Sequence, residues 1–334
     1  MQILGESVFL PLVPIQDTVH LANKLRNPLI DRSLLLGKFQ VSLAPLAAVL
    51  SSRTTSAQVE AQTGLRVRDL QPDRMDFRAA QRLFSLGTIK YVESMQLTGL
   101  AIYLSLARDA FTAFLEPGLH PYTRIERIYY AYYFTEGWLL DLKRRPLAGA
   151  PVRELFITQN AYRSLRLNAD ALLAYSWCYA AFPQFRRTTP FSPALLGSQA
   201  CEEGFRDSRG DSHGNVNFDF VEFLHSLNRA NAEQIIKAIQ LRNGMQFPAR
   251  NHKAWSFERR PSQPYYFPND ATAEGLLQHV FKARDRAIAT LRQCEIVYTE
   301  RLPTPTDDDL DIDLTTELQL LQPRNSEVRN KCGG

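Results

Sequence analysis

Two separated motifs in this chain pair an acid with basic residues at helical spacing. The first is Asp17-Thr-Val-His20-Leu-Ala-Asn-Lys24-Leu-Arg26-Asn27 and the second is Ser198-Gln-Ala-Cys-Glu202-Glu-Gly-Phe205-Arg206-Asp-Ser-Arg209. Magnesium binds through a few hard oxygen ligands together with substrate phosphates, so two carboxylates brought together would suit a metal-dependent nuclease or transposase site. Asp17 follows an apolar run and opens a helix, where it could face a metal or simply act as the N-cap. His20, Lys24 and Arg26 on the following turns could reach a phosphate or form a solvated face. Glu202 could be a ligand presented from a helix, with Arg206 and Arg209 toward a DNA backbone. Its plainer role is the i,i+4 surface pair with Arg206, worth a few tenths of a kcal/mol. Glu203 points about 100° away around a helix and is the weaker ligand.

The elements that would hold these residues are mostly helical. Ser7 to Val13 reads as a short buried strand ended by Pro14, and a helix opening at Asp17 should stop near Pro28. Leu34 to Leu50 is helix-compatible but interrupted by Pro45, and Ser51 to Ser56 reads as a loop. From Asp73 on, Phe77, Ala80, Leu83 and Phe84 form one stripe, and Leu97 to Phe114 and Tyr122 to Leu142 are long helices. The second ends in Lys143-Arg144-Arg145, a basic terminus that the helix dipole favours and a candidate nucleic-acid surface. A helix pair is expected over Phe156 to Ala181, then a Pro-marked connection through Pro183, Pro190 and Pro193. Asp211 to Asn217 reads as a loop. Phe218 to Arg242 reads as an amphipathic helix burying Val221, Leu224, Leu227, Ile235 and Ile239. Arg250 to Pro268 reads as irregular, Thr272 to Arg292 as a last helix, and the chain from Pro303 as disordered. The aromatic run Tyr129, Tyr130, Tyr132, Tyr133, Phe134 with Trp138 fits core better than a base-stacking platform.

The chain has 334 residues and a net charge of +4. Asp307, Asp308, Asp309, Asp311, Asp313 and Glu317 concentrate acid near the end; the rest carries 39 Lys and Arg against 29 Asp and Glu, a balance of +10. A basic body suits a nucleic-acid partner, and the acidic tail reads as a solubilising linker or a docking segment. Cys178, Cys201, Cys294 and Cys332 form no CxxC pair, which points away from a zinc knuckle or a disulfide framework and toward a reducing compartment. No leader and no apolar run of about 20 residues is evident, so a nuclear or cytoplasmic protein without a membrane span is expected.

The two motifs, in this order with helices between them, resemble the catalytic domain of the P-element and THAP-domain family of DNA transposases. Asp17, His20, Lys24, Arg26 and Asn27 match a DxxHxxKxxRN segment of that family, and Glu202, Phe205 and Arg209 match a later ExxFxxxR segment. Met75 to Ser85 resembles the helix opening the family's all-helical insertion. Phe156-Ile157-Thr158-Gln159-Asn160 through Leu167-Asn168 to Leu172 resembles a stretch near its end. The resemblance runs from about Ile15 to Arg242.

It implies a DDE-type site in which three carboxylates hold two Mg2+ ions, with Asp17 as the second acid and Glu202 as the third. The first acid belongs on the opening strand well upstream of the second. Only sixteen residues precede Asp17, with Glu6 the one acid among them, and the THAP module is not present in them. The family's insertion is associated with a guanine nucleotide, but no phosphate-cradling motif is legible here and that role is not carried over.

The expectation is a mainly α chain with a small α/β part: a truncated RNase H-like core interrupted by a large all-helical insertion. Its parts would be a partial core over 1–72, the insertion over 73–195, the closing core over 196–250, a helical extension over 251–302 and the acidic tail over 303–334. The function that follows is that of a domesticated, transposase-derived DNA-binding protein with an incomplete triad. It would bind transposon ends or DNA without sequence preference, could form a homo-oligomer, and would need Mg2+ only if activity remained. Two alternatives stay open. One is a piece of an active Mg2+-dependent transposase whose first acid lies upstream, and the other is a helical protein-interaction module.

Overall fold

The structure, a computed structural model, describes residues 2–3, 6–7, 14–71, 76–146, 149–197 and 264–298, with scattered positions between 225 and 243. Residues Met1–Tyr298 form one compact unit; the remainder, Thr299–Gly334, lies outside the described residues.

The described residues are mainly helical. The strands among them are β1 (Gln2–Ile3) with β2 (Glu6–Ser7), and β3 (Leu34–Leu36) with β4 (Phe39–Val41), two antiparallel pairs of two or three residues each. The parallel sheet of an RNase H-like core is not among the described residues. Of the strand expected over Ser7 to Val13, only Ser7 is described.

Helix α1 (Thr18–Asp31) buries Leu21, Ala22, Leu25 and Leu29 along one face. It does not stop at Pro28 as expected. Proline removes one backbone donor, but Pro28 is itself buried and its carbonyl accepts from Arg32 N at 3.1 Å, so packing carries the helix one turn further. The stretch from Leu34 likewise departs from a single helix. Gly37, at φ +58°, takes the left-handed turn between β3 and β4, and a Cβ there would meet the Cys294 carbonyl at 1.9 Å. Pro45 then falls in the first turn of α2 (Ala44–Ser51), where its missing N–H costs nothing.

Helices α3 (Ser56–Thr63), α4 (Phe77–Leu83) and α5 (Leu86–Ser94) lead to α6 (Thr98–Leu115) and α7 (Pro121–Arg144). Arg124 fixes the bend between the last two. It is buried, and its guanidinium donates to the carbonyls of Ala113, Phe114, Glu116 and Leu119 that the end of α6 and the loop leave unsatisfied. Most of the aromatic run is core, as expected: Tyr129, Tyr130, Phe134 and Trp138 are buried in α7, whereas Tyr132 and Tyr133 are half-buried, and Trp138 Nε1 donates to Leu35 O at 2.6 Å.

Where a helix pair is expected over Phe156 to Ala181 there is, after the single turn α8 (Val152–Leu155), one long helix, α9 (Gln159–Ala181). Helix α10 (Pro183–Thr188) and a short 3-10 turn at Pro193–Leu195 bring the chain to Gly197. The final helix, α11 (Ala273–Gln293), begins one residue after its Thr272 cap, as the sequence suggests. It packs along α7, where Arg286 bonds Asp109 of α6 at 2.8 Å and lies over the Tyr130 ring. The Asp211–Asn217 loop and Val221, Leu224 and Leu227 lie outside the described residues. Ile235 and Ile239, expected to be buried, are about half exposed, at 53 % and 51 %.

Helix α1 packs on α4, α6 and α9, so residues on both sides of the expected 72/73 boundary share one core.

Candidate functional site

Asp17, His20, Lys24 and Asn27 recur at spacings of three and four, which puts them on one face of α1, away from its buried leucines. Asp17 sits just before the helix with φ −55° and ψ 125°, and its Oδ1 accepts from Val19 N at 2.7 Å and His20 N at 3.2 Å. The cap reading is therefore realised. The other oxygen meets the chain from far away in sequence, for a Cβ built on Gly197 would lie 2.9 Å from Asp17 Oδ2. A close approach of this kind needs a residue without a side chain. Gly197 is the residue immediately before Ser198, the first of the second motif.

Two turns into α1, Lys24 is held by α9. Its Nζ donates to Asn160 Oδ1 and to Ser164 Oγ, each at 3.0 Å, with Gln16 Oε1 farther out at 3.5 Å. The Ser164 hydroxyl in turn donates to Asn160 O at 2.7 Å, so it presents a lone pair to the ammonium. Partial burial pushes the Lys24 ammonium below the usual lysine range, and the negative charge of Asp17 opposes that shift. Beside them, Gln16 N donates to Asn168 Oδ1 at 2.8 Å. Asn168 is fully buried, and its Nδ2 has no hydrogen-bond partner among the described residues.

Asn160, Ser164 and Asn168 stand at i, i+4 and i+8 on α9 and form a polar seam against α1. Reading the motifs one at a time misses them, together with Gln16 and Gly197. The signal that could have found them is the four-residue spacing of small polar side chains along a helix that is otherwise apolar on that side.

Arg26 requires a correction. Expected at a nucleic-acid surface, it is 0 % exposed, with Nε and Nη2 donating to Asp69 O and Nη2 also to Gln71 O at 3.0 Å. The physical reason is helical phase: two residues beyond Lys24 is about 200° around α1, which turns Arg26 into the core. There it ties the 66–71 turn, whose buried Asp69 carboxylate accepts the Arg82 guanidinium and Arg66 N. His20 and Lys24 do lie on the half-buried polar face.

Lys143 and Arg144 are exposed at the end of α7, whereas Arg145 forms an ion pair with Asp141 Oδ2 and donates through Nη1 to Gly37 O, both at 2.8 Å. That basic cluster touches the hairpin following the C-terminal end of α1, while Asp17 caps its N-terminal end. A helix of 14 residues rises about 21 Å, so the two groups are not brought together.

Glu202, Arg206 and Arg209 lie outside the described residues, so of the two motif acids only Asp17 is placed. Among the described residues no group of three or more His, Cys, Asp or Glu could hold a metal. The described donors alone do not make a Mg2+ site, and no chemical step is derived through that ion. Among them too, no helix is long and apolar enough to cross a membrane. Set against models of protein families, curated proteins and solved structures, the chain matches none of them.

Proposed function

We propose that this chain is a transposase-derived DNA-binding protein of the P-element and THAP type. The observation that carries the reading is the approach of Gly197 to the Asp17 carboxylate. The two motifs are about 180 residues apart in sequence, yet the residue that leads into the second abuts the acid of the first. Glu202 follows five residues later in the sequence and lies outside the described residues.

In this reading Asp17 and Glu202 are remnants of an RNase H-like metal site, the helices between them are the insertion, and DNA in the nucleus is the partner. Lys24, Lys143 and Arg144 supply positive charge for the DNA backbone, a contact that releases counterions and carries no sequence preference.

Iron-directed cleavage tests the pairing of the acids without requiring catalysis. Fe2+ with ascorbate and peroxide should cut the polypeptide near both residue 17 and residue 202, and both cuts should vanish with excess Mg2+ or in Asp17→Asn. Cuts at one acid alone, or cuts indifferent to Asp17→Asn, would exclude a shared ion.

A further inference from the structure

The resemblance supplies Lys24 as a basic residue of the first motif, but nothing in it says what aims that side chain. A lysine on a helix surface ordinarily samples many rotamers, and fixing it costs up to about 2 kcal/mol of side-chain entropy. Here two acceptors from a different helix, Asn160 Oδ1 and Ser164 Oγ, fix Nζ at 3.0 Å each. Both acceptors are neutral, so they orient the ammonium without cancelling its charge. They are also set one turn apart, and Ser164, buried to 1 % exposure, is locked by its own donation to Asn160 O. Asn160 is exposed, so the ammonium sits at the surface end of the seam; its third donor makes only a long contact with Gln16 Oε1, at 3.5 Å, which an incoming phosphate can replace. The adjacent Asn168 holds Gln16 N, the backbone group one residue before Asp17, so the same face of α9 fixes both Lys24 and the approach to Asp17.

We propose that α9 is the positioning element of the DNA site: Asn160 and Ser164 aim Lys24 at a backbone phosphate beside Asp17, and Asn168 fixes the chain entering that acid. This rests on the reading of the chain as a DNA-binding protein. Its added content is that the inserted helices, and not only the two motifs, build the DNA contact. Asn160 and Ser164 act through Lys24 and need not touch DNA.

The test is fluorescence anisotropy of the full chain on a 30-base-pair duplex of arbitrary sequence between 50 and 200 mM salt, read beside thermal melts. Lys24→Ala should weaken binding roughly three- to tenfold and lower the salt slope by about 0.9, the signature of one lost phosphate contact. The double variant Asn160→Ala with Ser164→Ala keeps every charge, yet should lose affinity and slope to a similar degree. Adding Lys24→Ala to it should then cost nothing further. Lys24→Arg, with a longer and planar head, should recover only part of the loss. If buried Ser164→Ala unfolds the protein, Asn160→Ala alone is read instead, since its exposed side chain can be cut back without opening the core.

Wild-type binding that responds to Lys24→Ala but not to the α9 variants would overturn the positioning role and leave the DNA reading intact. Losses from the α9 and Lys24 variants that simply add would overturn it as well. Absence of duplex binding by the wild-type chain would overturn the DNA reading and the inference with it.

Discussion

Arg26 separates two accounts of the first motif, because a phosphate-binding arginine and a core arginine answer the same substitution in opposite ways. Arg26→Met removes the charge and keeps most of the aliphatic stem, so little cavity opens. It leaves the Asp69 and Gln71 carbonyls without the guanidinium that bonds them. A buried acceptor stripped of its partner costs about 1–3 kcal/mol, and partial hydration through the half-exposed edge of the turn would bring the pair to about 3 kcal/mol. For a unit of this size about 1.6 °C is lost per kcal/mol, so the melting temperature should fall by about 5 °C.

Thermal unfolding followed by circular dichroism reads the first quantity, and duplex anisotropy below the melting point reads the second. DNA affinity and its salt slope should stay within twofold of wild type. An unchanged melting temperature, combined with a tenfold loss of affinity and a slope reduced by about 0.9, would refute the core placement of Arg26 and restore it to the DNA surface.

Two further outcomes follow from the same geometry. Gly197→Ala would press a methyl group to within 2.9 Å of Asp17 Oδ2, so the carboxylate must shift and release Val19 N and His20 N. The lost cap is worth about 1 kcal/mol, and hydrogen exchange at these two amides should accelerate; unchanged exchange would disprove the contact. Burial pushes the Cys294 thiol from 9.0 up to about 11, so the neutral thiol is the form the fold favours. Its stabilising contribution is complete below about pH 9 and is lost as pH rises through about 11, a change of about 2 kcal/mol. Urea titrations between these values should show a steeper decline for wild type than for Cys294→Ala, and parallel declines would place the thiol in contact with solvent.

What could be read along the chain were features carried by local periodicity. Helix α11 begins where Thr272 promises a cap, α6 and α7 fall where long apolar stripes demand them, and Tyr129, Tyr130, Phe134 and Trp138 are interior because that face of α7 is aromatic throughout. Asp17 was legible as a cap for the same reason, since capping needs only two neighbouring amides. The failures share a cause as well. Pro28 stays helical and Leu34 to Val41 folds as a hairpin because distant partners, the core around α1 and the backbone of Cys294, outweigh local preference.

The candidate site divides along the same line. The sequence by itself determined which residues share the polar face of α1, because helical pitch alone fixes that. Tertiary structure decided that the carbonyls of Asp69 and Gln71 receive Arg26, that Asn160 and Ser164 of α9 reach Lys24, and that Gly197 closes on Asp17. Those contacts join residues more than 40, 130 and 170 positions apart, and no local pattern encodes a separation that only the packing of whole helices sets.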